Sequence, residues 1–213
     1  MLFRSGHAGL VLGRLHERTA RGADFDRFAD RTVFVQLRVE PFYQRVRERR
    51  PEVADAVAPL VADLLARRDA LCHGDYSPKN ILTHPAGFTL VDYETAHLGD
   101  PAMDLGFFLS HLLLKACKRS GERERYFELT RAFWRSYSRE VSFLPLADLQ
   151  ARGVGHLGVC LLARIDGTSP VDYLPEEGKR EVVRRLGRRL LLARPVTWEE
   201  VLGLAEEAFG EGS

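Results

Sequence analysis

The sequence has little cysteine, no long apolar run and almost no excess of charge of either sign. Its three cysteines are odd in number and lie far apart in apolar stretches, so we expect buried free thiols and neither a disulfide framework nor a metal cluster. No stretch has the apolar length of a bilayer-spanning helix, and the N-terminus lacks the apolar core and cleavage site of a signal peptide. The net charge of +1 offers no field that would attract nucleic acid or a membrane surface. We therefore expect a cytoplasmic protein that binds neither nucleic acid nor a membrane.

Apolar residues recur at helical spacing over most of the chain, whose 213 residues suffice to bury one good core. Residues 25–40 fit either element, because an alternating series of apolar residues overlaps aromatic residues at helical spacing. A core helix is expected to begin at Pro101, after an N-cap at Asp100. We predict a mainly α fold with a small central β-hairpin (α+β), organised as a single domain over 1–213. The other predicted helices cover residues 9–20, 51–68, 122–140, 146–165, 176–193 and 197–209.

The predicted hairpin consists of two short strands, residues 81–83 and 88–91, joined by a turn over 84–87. Antiparallel pairing brings the residues that flank the strands side by side at the open end. With Leu82 opposite Leu90, the flanking residues point to the same face, whereas a shift of one residue would separate them.

Oxygen-bearing side chains flank this hairpin. Asn80 immediately precedes the first strand, Asp92 immediately follows the second, and Asp75 lies upstream on a loop stiffened by Pro78. Phosphoryl transfer needs a carboxylate that orients the attacking hydroxyl and accepts its proton, together with oxygen ligands for Mg²⁺. With His73, these residues form the H-x-D-x-x-x-x-N pattern, followed by an aspartate and an aromatic residue, that kinases use. The spacing favours a phosphotransferase site over unrelated loop residues.

The same region resembles the aminoglycoside phosphotransferase and choline kinase family of small-molecule kinases. Residues 73–82 look like the HGD loop of that family, and 91–94 look like its metal-binding segment. Residues 99–106 look like the G-D-P-x-x-D-L segment that follows, and Leu12 to His16 resemble the helix that opens the C-terminal lobe. The similarity covers most of the chain, but its specificity is concentrated between residues 71 and 106.

The resemblance implies a protein-kinase-like C-terminal lobe and ATP- and Mg-dependent phosphorylation of a small-molecule hydroxyl. In this family pattern Asp75 is the catalytic base, and Asn80 and Asp92 hold Mg²⁺. Asp104 is the buried acid that ties down the catalytic loop through backbone amides. His73 is either a residue that supports the loop by hydrogen bonds to the backbone near Asp92 or a general base, and the nearby Asp75 favours the supporting role.

Other polar residues admit two interpretations. Lys79 either contacts a phosphate of the nucleotide or is solvated. Asp166 either pairs with an arginine near the end of a helix or lines the acceptor pocket, and Glu94 is a further possible substrate contact. Residues 153–158 match G-x-G-x-x-G but lie within a helical pattern, so they predict close helix packing and not nucleotide binding. The arginines within 184–189 predict a solvated helix face.

A complete kinase also has an N-terminal lobe with a glycine-rich loop and a lysine that grips the phosphates. No lysine precedes Lys79 and much of the sequence before His73 reads as helix, so we expect that lobe to be absent from this chain. The chain is then either a kinase lobe completed by another segment or partner chain, or a truncated fragment or inactive lobe-only binding module. Ser77 stands where protein kinases carry lysine, which disfavours a protein kinase. The acceptor is not specified, because fold does not fix substrate.

Overall fold

The computed structural model describes residues 2–20, 25–84 and 87–210, and these ranges are mostly helical. Their α-helices are α1 (Leu2–Ala20), α2 (Thr32–Phe34), α3 (Arg45–Arg49), α4 (Ala54–Ala66), α5 (Pro101–Lys118), α6 (Arg123–Tyr137), α7 (Leu146–Asp166), α8 (Glu177–Ala193) and α9 (Trp198–Gly210). Their strands are β1 (Ala70–Cys72), β2 (Ile81–His84), β3 (Gly87–Leu90) and β4 (His97–Gly99). A π-helical segment, Val35–Gln44, joins α2 to α3, and short 3-10 helices occur at Asp26–Phe28, Pro51–Val53, Pro78–Asn80 and Ser120–Glu122.

The predicted helices are present, and the fold class is confirmed. Residues 25–40, which fitted either element, contain helical turns that continue into the π-helical segment. A strand would bury the alternating apolar residues on one face, but Val33 and Leu37 are exposed while Val39 is buried. Among the described helices, none has the length and apolar character needed to cross a bilayer.

Helix α5 is buried along almost its whole length and divides the core into two clusters. Phe108 belongs to the cluster that includes α1, α6 and α9, whereas Phe107 belongs to the cluster formed with the π-helical segment, α4 and α7. The helix begins as predicted, because the Asp100 carboxylate accepts a hydrogen bond from the Ala102 amide at 3.0 Å. The Asp100 cap and the burial of the helix therefore fix the start of α5, which contacts the predicted catalytic loop.

The glycine motif at 153–158 packs helices, as predicted. It lies within α7, where a Cβ at Gly153 would come within 3.0 Å of Trp198 and one at Gly158 within 3.0 Å of Leu191. The three cysteines are buried and free, which was also predicted.

The hairpin forms, but the predicted register is wrong by one residue. Leu82 lies opposite Thr89 and not opposite Leu90, which pairs with Ile81. The predicted turn covers residues 84–87, but His84 and Gly87 are paired with each other in the structure, so the connection is shorter than predicted. The number of residues in the turn sets the register of a hairpin. The middle of the predicted turn, residues 85–86, lies outside the described residues.

A second two-stranded sheet was not predicted. Strand β4 pairs antiparallel with β1, so that Cys72 lies opposite His97 and Ala70 opposite Gly99. The three-residue strand carries too few residues for a periodic signal. It anchors the chain that leaves Asp92 against the chain that enters His73.

Candidate active site

The loop that follows β1 is held by the carboxylate of Asp104, in the first turn of α5. The backbone amides of His73 and Gly74 donate to its two oxygens at 2.7 and 2.9 Å. His16 Nε2 donates to the same carboxylate at 3.3 Å, and the Tyr137 hydroxyl lies 2.9 Å from Nδ1 of that imidazole. Burial by itself raises the pKa of Asp104, but the hydrogen bond and charge of His16 and the loop interactions lower it below its ordinary value. Asp104 thus makes the amide contacts expected from the sequence.

Gly74 gives this loop a turn that no other residue fits. Its φ is +75°, and a Cβ there would lie 2.6 Å from the carbonyl oxygen of Thr95. The Thr95 hydroxyl donates to the carbonyl of His73 at 3.0 Å, which fastens the loop to the segment that follows Asp92.

His73 has the hydrogen bonds of a supporting residue. Its Nδ1 accepts from the backbone amide of Asp75 at 3.3 Å, so Nε2 carries the proton and donates to the carbonyl of Val91 at 3.2 Å. The ring is fully buried and lies 4.8 Å from the ring of Tyr93. Because both nitrogens bond to backbone, the supporting role is the one that the geometry favours.

The Asp75 carboxylate is held through one oxygen. Its Oδ2 lies 2.9 Å from Asn80 Nδ2, 3.0 Å from an Arg38 nitrogen and 3.1 Å from Lys79 Nζ. No hydrogen bond among the described residues uses its Oδ1. The residue is 4 % exposed and lines a cavity of about 420 Å³. One carboxylate oxygen is therefore positioned by a hydrogen bond from Asn80 and by two ion pairs, while the other can accept a proton from a molecule in the cavity.

Arg38 is a site residue that the sequence analysis missed. Its Nε donates to the carbonyl of Gly74 at 2.7 Å, and its guanidinium carbon lies 5.9 and 5.5 Å from the ring centres of Phe42 and Phe107. The planar guanidinium joins the backbone and the Asp75 side chain of the same loop. It lies in the ambiguous segment of an arginine-rich chain, so neither spacing nor residue type distinguished it.

Arg38→Met is expected to lower the free energy of unfolding by about 1.5–3 kcal/mol, because it removes a charge-assisted hydrogen bond to Gly74 and an ion pair with Asp75 at a side chain that is 12 % exposed. Lys79→Met is the matched control, since Lys79 reaches the same oxygen from a side chain that is 66 % exposed. That control should cost at most about 1 kcal/mol. Urea denaturation of both variants measures the difference, and equal losses would contradict the role of Arg38 in holding the loop.

Asn80 and Asp92 are suited to holding a magnesium ion by chemistry. The Asn80 amide nitrogen donates to the backbone carbonyl and to Oδ2 of Asp75, so its Oδ1 remains as a possible metal ligand. The carboxylate of Asp92 is exposed, and its backbone has the left-handed φ of 71°. No hydrogen bond joins Asp92 to Asp75 or Asn80, so the meeting of these three side chains in one cleft stays a prediction. Because Asp92 has a left-handed backbone, the alternation of side chains along the strand ends before it, and that alternation was the basis for placing Asn80 and Asp92 on the same face.

The two possible substrate contacts have different surroundings. Glu94 is exposed, and no hydrogen bond or ion pair to it occurs within the described ranges. The Asp166 carboxylate lies 2.6 Å from Arg50 and 3.0 Å from Arg184, and it is not among the residues that line the Asp75 cavity. Asp166 thus pairs with arginines, although its partners are Arg50 and Arg184 from other helices or segments and not Arg164 at the end of its own helix. The prediction of a solvated face at 184–189 is wrong for Arg184, which is 9 % exposed because Asp166 and two glutamates surround it.

Comparison with known proteins gives a family and several relatives. A family model described as the phosphotransferase enzyme family matches residues 5–142. A methylthioribose kinase of Pectobacterium carotovorum subsp. carotovorum (strain PC1) is 29% identical over an alignment of 176 residues, and the match covers 66% of this chain and 44% of the relative. Methylthioribose kinases of Bacillus cereus (strain ATCC 10987 / NRS 248) and Bacillus thuringiensis (strain Al Hakam) are 29% and 30% identical over alignments of 144 residues, and each match covers 59% of this chain and 37% of the relative. The chain thus spans less than half the length of these curated relatives.

Proposed function

The chain belongs to the phosphotransferase enzyme family, and we propose from that premise that it takes part in transferring the γ-phosphate of ATP to a small-molecule hydroxyl. The arrangement of Asp75 is the observation that carries the proposal. Its Oδ2 is held by Arg38, Lys79 and Asn80, while Oδ1 is left for a molecule in the adjoining cavity.

Asp75 is the general base in the proposed step. The acceptor hydroxyl oxygen forms a bond to the γ-phosphorus, and the bond from that phosphorus to the oxygen bridging to the β-phosphate breaks. ADP leaves with the electron pair of the broken bond, and Asp75 Oδ1 accepts the proton of the hydroxyl. The Asn80 hydrogen bond and the two ion pairs on Oδ2 keep the carboxylate oriented, which matters because this chemistry depends mainly on positioning.

Asn80 Oδ1 and the Asp92 carboxylate are the proposed ligands of Mg²⁺, which when bound neutralises charge on the phosphates. Asn80 also donates to Asp75, so the same side chain connects the metal ligands to the base. His73 and Asp104 keep the loop that carries the base in place.

A nucleotide-gripping lobe is also required, and we propose that another segment of the protein or a partner chain supplies it. In the described ranges the strands form only two two-stranded sheets, with none of the twisted sheet over which a glycine-rich loop would close. The 213-residue chain tested alone is therefore expected to bind Mg·ATP more weakly than micromolar. We also propose a cytoplasmic location, where ATP is available.

The function is tested on the lobe-complete protein, which is this chain together with the segment or partner chain that supplies the nucleotide-gripping lobe. It is incubated with Mg·ATP and a panel of acceptors. The panel contains methylthioribose, because the matched relatives are named methylthioribose kinases, together with an aminoalcohol, a neutral sugar and an aminoglycoside. We expect ADP release in a coupled assay and a mass gain of one phosphoryl group on one acceptor class. Tight acceptor binding with no phosphorylated product from any class would contradict the proposal and favour the binding module.

A further inference from the structure

The cavity beside Asp75 has walls from four parts of the chain. The π-helical segment contributes Arg38, the catalytic loop contributes Asp75 and Lys79, α5 contributes Phe107 and His111, and the end of α7 contributes Arg164. Its volume of about 420 Å³ is enough for a small organic molecule.

Positive charge predominates in this lining. Arg38 and Lys79 share the single carboxylate of Asp75. Arg164 has no acidic partner in the described parts of the chain, since its NH1 nitrogen donates to the carbonyl of Ser169 at 3.1 Å and its buried Nε has no hydrogen-bond partner. A partly buried guanidinium without a counterion is unfavourable unless an anion joins it.

His111 gives a second, independent indication of a ligand. The residue is 8 % exposed, and its buried Nε2 has no hydrogen-bond partner within the described part of the chain, although most buried polar atoms have one. Burial, reinforced by the charge of Arg164, lowers the pKa of His111 to about 3, so the ring is neutral near pH 7 and offers one donor and one acceptor. A ligand that hydrogen-bonds here would satisfy an atom that the protein leaves open.

We infer that the cavity selects an acceptor that carries an acidic group, a carboxylate or a phosphate, besides the hydroxyl that is phosphorylated. Arg164 and His111 bind the acidic group, and the hydroxyl meets Oδ1 of Asp75. A planar guanidinium suits either acid by paired hydrogen bonds, whereas an ammonium group would meet the excess of positive charge. This inference rests on the proposed function, because it describes the acceptor of the same site.

Calorimetric titration of the full protein with matched six-carbon probes tests the inference. Gluconate, glucose 6-phosphate, glucitol and glucosamine present a carboxylate, a phosphate, no charge and an amine on six-carbon polyhydroxyl frames, which are open in gluconate and glucitol and cyclic in the other two. At least one acid is expected to bind about tenfold more tightly than glucitol and glucosamine. Equal or tighter binding of glucitol or glucosamine would overturn the inference.

Arg164→Gln is expected to remove the preference for the acids while the affinity for glucitol is unchanged. Arg164→Lys retains the charge and should keep part of the preference, which provides a second measurement if the glutamine variant is unstable. The control is Arg189→Gln, because Arg189 is exposed and pairs with Glu207 outside the cavity. An acid preference that survives Arg164→Gln would overturn the assignment.

The same cations could serve the transferable phosphate of the nucleotide, so Mg·ATP is titrated into each variant. Loss of Mg·ATP affinity with unchanged acid affinity in Arg164→Gln would overturn the acceptor assignment. Phosphorylation of neutral acceptors alone would overturn the inference and leave the proposed function standing. Acid binding that depends on Arg164, with no phosphoryl transfer to any acceptor, would support the anion site and contradict the proposed function.

Discussion

Asp75→Asn is expected to lower the rate of phosphoryl transfer by about 10²- to 10⁴-fold, the usual contribution of a positioned general base. Asparagine has nearly the same size and keeps a carbonyl oxygen that can accept the hydrogen bond from Asn80. It cannot accept the proton of the acceptor hydroxyl. The affinity for Mg·ATP should change little, because the base acts on the acceptor and the phosphates are gripped elsewhere.

Steady-state phosphorylation and Mg·ATP calorimetry on the lobe-complete protein measure the two effects separately. Asp148→Asn is the control, since Asp148 is an exposed acid in the first turn of α7 and does not line the cavity. The melting temperature of each variant shows whether the fold is retained. A rate for Asp75→Asn equal to that of the control would rule out Asp75 as the base.

Two features near the start of α5 could be predicted from the sequence. The family resemblance implied that Asp104 ties down the loop through backbone amides, and the structure joins its carboxylate to His73 and Gly74. Similarly, Asp100 was recognisable as an N-cap, because Pro101 follows it. The Asp100 cap depends on neighbours in sequence. The contacts of Asp104 depend on the few groups that can donate to a buried carboxylate.

Contacts between distant segments could not be predicted in the same way. Arg38 reaches Asp75 from a π-helical segment that local periodicity left ambiguous, and His16 and Tyr137 meet Asp104 from two other helices. The register of the hairpin depends on the number of turn residues, where one residue more or less reverses which side chains share a face. The predicted register placed Asn80 directly opposite Asp92, and the observed pairing of Ile81 with Leu90 shows that this register is wrong by one residue.

Asp104→Ala is expected to cost about 3–5 kcal/mol of the free energy of unfolding, because it leaves several buried donors without an acceptor. The amides of His73 and Gly74 and Nε2 of His16 all donate to its carboxylate, which is fully buried. The same change should loosen the loop that carries Asp75, so amide hydrogen exchange at residues 73–75 should accelerate along with the loss of stability.

The control for this loss is Asp148→Ala, which also removes an acid from the first turn of a helix but at an exposed position. It should cost only about 0.3–1 kcal/mol, the value of a charge near a helix N-terminus.

The pH dependence of stability provides a second check. The pKa of Asp104 is lowered in the folded state, so its contribution is complete above the ordinary value of 3.8 and is lost as the pH falls below it. The difference between wild type and Asp104→Ala should thus be constant near neutral pH and shrink in acid. Equal denaturation midpoints for wild type and Asp104→Ala at pH 7 would instead make Asp104 dispensable to the loop.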